Sequence, residues 1–145
     1  MGRGRGGYIT SEQSYKDSGG AKVIDKGAIF VAERYIDLGY ESVFRRRKEN
    51  KFYDLTIKTS DDTQYVKNIE VKTINSNNSS QIAKQIKHAY GQIGDGDTVA
   101  LFFQHHSNCE CANKMANAGI DEARRKGWVR GPIEVWFKDK TKIVF

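Results

Sequence analysis

Cysteine is scarce: the chain has two, Cys109 and Cys111, separated by one residue. Thiols so close in the chain rarely reach disulfide geometry, and two cannot build a disulfide scaffold. Both are therefore expected reduced, and stability has to come from a packed core. Long apolar runs are lacking too. The longest, Val99 to Phe103, is far too short to span a bilayer. The opening stretch MGRGRGGY has no apolar segment of the secretory type. No Gly-Lys-Ser/Thr run is present to cradle phosphates, nothing supports Ser-His-Asp or Cys-His nucleophilic catalysis, and no internal repeat is visible.

What is present is one domain's length, 145 residues, with 38% apolar and 29% charged residues. Basic residues exceed acidic ones, giving a net charge of +6. That excess suits an acidic partner such as nucleic acid or an acidic inhibitor protein, although solubility alone would also explain it. Residues 1–20 are rich in Gly, Ser and charge without apolar periodicity, and read as a flexible leader. Residues 21–145 then form the domain.

Apolar spacing at Ile24, Ala28, Val31, Ala32 and Tyr35 predicts a helix over 22–38, stopped by Gly39. Glu33 falls at the edge of its apolar stripe. Strands are expected at 41–47, 52–58 and 65–74, the last two as a hairpin turned at Asp61-Asp62. In the second, Tyr53, Leu55 and Ile57 share one face and Phe52, Asp54 and Thr56 the other. A helix over 80–93 carries Ile82, Ile86, Ala89 and Ile93 on one stripe and Gln81, Gln85, His88 and Gln92 along its edge. A continuous apolar strand at 98–103 reads as central. A helix over 110–126 and a hairpin at 133–137 and 140–145 complete the order, which predicts an α/β fold with a mixed sheet flanked by helices.

Glu70 and Lys72 are two apart on one strand, so their side chains project to one face, roughly 7 Å apart along the chain. Asp54 on the neighbouring strand can lie beside them. Phosphodiester hydrolysis wants this set. Carboxylates hold Mg²⁺ or Mn²⁺, the ion activates water and stabilises phosphate charge, and a lysine orients the water or steadies the transition state. The main-chain carbonyl of Val71 is a further candidate ligand. Alone, a Glu-x-Lys pair reads as a surface ion pair. Three features shift that reading: the aspartate on the preceding strand, the acid-bearing helix before it, and the glutamine-bearing basic helix after it.

On these residues, Asp54 in Phe52-Tyr53-Asp54-Leu55 and Glu70-Val71-Lys72, the sequence resembles the PD-(D/E)xK nuclease superfamily over about residues 22–103. Tyr53 departs from the proline that names the motif. The resemblance implies a restriction-endonuclease-like fold, an added metal ligand at Glu33 in the first helix, and Gln85 facing the site to contact substrate or orient Lys72. The short, basic domain behind a Gly-rich leader is similar to the C-terminal toxin domains of bacterial contact-dependent growth inhibition effectors. That similarity implies a secreted or surface-delivered effector acting in the target cytoplasm, a tRNA substrate in preference to DNA, and a cognate immunity protein. The alternatives are a DNase of toxin, restriction or repair type, and a non-catalytic nucleic-acid-binding module.

Arg45, Arg46, Arg47, Lys48, Lys84, Lys87 and His88 are candidate substrate contacts, as are Arg124, Arg125, Lys126 and Arg130. A solvated basic face is the ordinary alternative. His105, His106, Cys109 and Cys111 have zinc-ligand chemistry but no trusted spacing, and read as an ordinary loop. Trp128 and Trp136 read as packed.

Overall fold

The computed structural model describes residues 2–3, 7–11, 26–44, 55–59 and 65–145. Its elements run β1 (Gly2–Arg3), β2 (Gly7–Ser11), α1 (Lys26–Asp37), β3 (Tyr40–Phe44), β4 (Leu55–Thr59), β5 (Tyr65–Ile74), α2 (Ser79–Gly91), β6 (Thr98–Phe103), α3 (Glu110–Arg125), β7 (Ile133–Phe137) and β8 (Lys142–Val144). All strands join one mixed sheet in sequence order. Strands β3, β4 and β5 form an antiparallel meander, β5, β6 and β7 run parallel, and β8 returns antiparallel to β7. The expected α/β class and a mixed sheet with helices on its faces are therefore observed.

Two apolar layers sandwich the sheet. On one face Ala28, Val31, Ala32 and Tyr35 of α1 pack on Leu55, Ile57, Ile69, Val71, Ala100 and Phe102. On the other, Ile82, Ile86, Ala116 and Ile120 of α2 and α3 pack on Ile74, Val99, Leu101, Phe103, Val135 and Phe137. Strand alternation assigns odd positions of β5 to the α1 side and even ones to the α2 side. Every residue of β6 is buried, as its unbroken apolar run requires of a strand covered on both faces.

Local signals explain the ends of the helices. Gly39 stops α1 with φ +97°, a left-handed conformation that side chains resist. Asn78 caps α2 by accepting from the backbone N–H of Ser80 at 2.8 Å and Gln81 at 3.2 Å. Helices α2 and α3 meet at Gly119, where an added Cβ would lie 2.7 Å from Ile82 Cβ. Ser79 and Ser80 also donate to Glu122 of α3 at 3.5 and 3.3 Å.

Boundaries differ from expectation in places. Strand β4 is described from Leu55, and the expected first strand is described only as far as Phe44. Within the segment read as a leader, Ile9, Thr10 and Ser11 pair parallel with Ser42, Val43 and Phe44. Only the short β-forming run Tyr8-Ile9-Thr10 signals it, and glycine and serine around it obscure the pattern. Among the described residues no helix is long and apolar enough to cross a membrane.

Candidate active site

Register brings two of the expected residues, Glu70 and Lys72, to one face. Glu70 and Lys72 pair with Val99 and Leu101 of β6, so both point to the α2 side. Glu70 has no exposed surface, and the Lys72 ammonium lies 3.5 Å from its Oε2 with a side chain 16% exposed. On the same face Thr56 of β4 donates to Asn68 of β5 at 2.8 Å. Leu55, the residue after Asp54 in the chain, pairs with Ile69, the residue before Glu70. Asp54 itself lies outside the described residues, as do Arg45, Arg46, Arg47 and Lys48.

Gln85 stands on α2. It lines a cavity of about 320 Å³ with Ile74, Asn75, Ser76, Gln81 and Ile82. Ile74 is two residues past Lys72 on the same strand face. A second hollow of about 250 Å³ is lined by Gln81, Lys84, Gln85 and His88. A polar groove thus leads from the end of β5 across the exposed side of α2. Asn75 at its mouth is hydrogen-bonded by the Gln104 amide. On the far flank of α2 the Lys87 ammonium sits 4.9 Å from the centre of the Trp128 ring, and that of Lys126 sits 5.0 Å away. The two helices thereby join their basic residues around one partly buried indole.

Glu33 is not brought to this face. It is partly exposed on α1, 3.9 Å from the Arg34 guanidinium, and α1 covers the side of the sheet to which Ile69 and Val71 point. The sheet stands between α1 and the Glu70–Lys72 pair. The helical stripe gave Glu33 an edge position correctly but said nothing of which sheet face the helix would cover.

Sequence reasoning missed a polar cluster on that α1 face. Glu134 of β7, 1% exposed, accepts from Trp136 Nε1 at 3.0 Å, from Lys67 Nζ at 2.8 Å, and from the Tyr35 hydroxyl. Lys67 also donates to the Tyr35 hydroxyl at 3.0 Å. Burial, then the Glu134 charge and hydrogen bond, push the Tyr35 phenol well above the ordinary tyrosine range. The only signal was a single acid inside the apolar run Ile133-Glu134-Val135.

Cys109 and Cys111 are exposed free thiols at the start of α3, where Cys109 Sγ accepts from the Ala112 N–H at 3.4 Å. Among the described residues no group of three or more His, Cys, Asp or Glu is gathered closely enough to hold a metal. The chain matches no protein-family model, no curated protein and no solved structure.

Proposed function

We propose that this chain is a metal-dependent endonuclease, the toxin domain of a contact-dependent growth inhibition effector, cleaving nucleic acid with tRNA preferred over DNA. The observation that carries the reading is Glu70, a fully buried carboxylate in mid-sheet with the Lys72 ammonium 3.5 Å away. Burying such a pair adds little net stability, and charged groups held in this way concentrate where their charge is used. Strand pairing supports the reading, because Leu55, next to Asp54 in the chain, pairs antiparallel with Ile69, next to Glu70.

The donor set fits the implied ion. Mg²⁺ asks for one or two carboxylates, keeping waters and phosphate oxygens as its other ligands, and Glu70 with Asp54 would supply that many. Glu33 would join them only by reaching around the sheet. When bound, the ion would polarise the phosphate and acidify a water. Lys72 would hold the scissile phosphate oxygen or orient the attacking water. Gln85 and Gln81 would contact the strand beyond the scissile bond, and Lys84, Lys87 and His88 its phosphates. The tRNA preference, delivery into a target cell and a cognate immunity protein rest on the resemblance of Asp54, Glu70-Val71-Lys72 and the flanking helices to those toxins.

The test is incubation of the purified chain with total tRNA and with plasmid. Cleavage should require added Mg²⁺ or Mn²⁺ and stop in excess EDTA. Full cleavage in EDTA would overturn the metal role of Glu70 and Asp54.

A further inference from the structure

Helix α1 and the β7–β8 hairpin border a cavity of about 300 Å³ on the sheet face opposite Glu70 and Lys72. It is lined by Arg34, Asp37, Leu38, Trp136, Lys140 and Lys142. Its aromatic wall is fixed from behind. The Trp136 indole N–H donates to the buried Glu134 at 3.0 Å, and Phe30 meets the ring edge-on at 6.3 Å. Over that wall stands Lys142, its ammonium 5.2 Å from the Trp136 ring centre and 5.3 Å from that of Tyr35. Ring faces hold this cation in place without neutralising it.

Lys140 adds a second, independent observation. At the hairpin turn its φ is 72°, the left-handed region where a Cβ is unfavourable and glycine or asparagine is the usual occupant. A long cation in a strained position that glycine would occupy freely points to use of the side chain. Charge on the wall is also unbalanced. Arg34 is met by Asp37 at 3.3 Å, whereas Lys140 and Lys142 have no acidic partner among the described residues.

We propose that this cavity is an anion site that binds a phosphate group, with Lys140 and Lys142 donating to its oxygens beside the paired Arg34 and Asp37. A multiply charged tetrahedral oxyanion offers an acceptor to each of the two lysines, and charge-assisted bonds of this kind are the strong ones. The phosphate can come from a free phosphate or from the backbone of a nucleic-acid strand, and the donors are the same for both. The site is independent of the Glu70–Lys72 reading, because the sheet separates the two.

The test follows the Trp136 indole N–H by heteronuclear NMR in the full chain, with EDTA present. One titration uses inorganic phosphate at constant ionic strength set by chloride. A second uses a short single-stranded oligonucleotide without terminal phosphate. A saturable shift with either probe, weakened roughly tenfold or more in Lys140→Gly, is the expected result. Which probe acts identifies the source. Relief of the left-handed strain should at the same time raise the Lys140→Gly thermal midpoint by roughly 2–4 °C, so that lost binding is not lost folding. No saturable shift with either probe, or the same affinity in folded Lys140→Gly and Lys142→Gln variants, would overturn the proposal.

Discussion

Glu70 and Glu134 are both buried carboxylates in the same sheet, two strands apart, and they point to opposite faces. Glu134 is met by an indole N–H, a phenol and an ammonium. The Lys72 ammonium lies 3.5 Å from Glu70. A densely hydrogen-bonded acid between helix and sheet fastens α1 to β7 and β5. Tyr35→Phe removes one of its donors without changing ring volume and should destabilise the fold by about 1–2 kcal/mol, with cleavage unaffected. Urea unfolding measures this, and an unchanged midpoint would show that the phenol contributes nothing to the cluster. The sequence made Glu70 and Lys72 visible because two-residue spacing on a strand guarantees a shared face. It concealed Glu134, since its partners Tyr35 and Lys67 lie 99 and 67 residues away in the chain.

At the level of elements, periodicity was legible where each element buries a single face or both. The bounds expected for β5, β6 and β7 are those observed. Helices α2 and α3 start and end within one or two residues of expectation, because caps and glycines mark their ends locally. What periodicity cannot encode is which sheet face a helix covers, so it offered no check on the place at the site that the resemblance implied for Glu33. The contact between α2 and α3 is likewise non-local. Gly119 lies inside α3, where alanine would ordinarily gain about 1 kcal/mol. Here the added methyl meets the Ile82 side chain. Gly119→Ala should therefore reverse the usual sign and destabilise by roughly 1–3 kcal/mol. Ile82→Ala should lose stability on its own but less in the Gly119→Ala background, a coupling that a double-mutant cycle reads directly. Simple additivity would show that the helices do not touch there.

For the molecule as a whole, the sheet divides the chemistry. One face carries the Glu70–Lys72 pair and the groove along α2, and the other the Glu134 cluster and the cavity under α1. Among the described residues cations stand on both sides, Lys84 and Lys87 on one and Lys140 and Lys142 on the other, so composition alone cannot say which face meets an anionic strand. If the α2 side does, replacing Lys84 and Lys87 with alanine should weaken substrate binding and flatten its salt dependence by about one to two units of log–log slope. Fluorescence anisotropy across a salt series measures this, and an unchanged slope would assign both lysines to a merely solvated face.

The central claim is that Glu70 and Lys72 are the reacting centre and not a structural ion pair, and single-turnover cleavage tests it most directly. Glu70→Gln and Lys72→Ala, shown folded by circular dichroism, should each lose at least about a hundredfold in rate on tRNA and on DNA. The double variant should lose little more than either alone, because the two groups act on one phosphate as a unit. A folded Lys72→Ala that cuts at the wild-type rate would contradict the account, leaving this pair a structural feature and putting the chemistry elsewhere on the molecule.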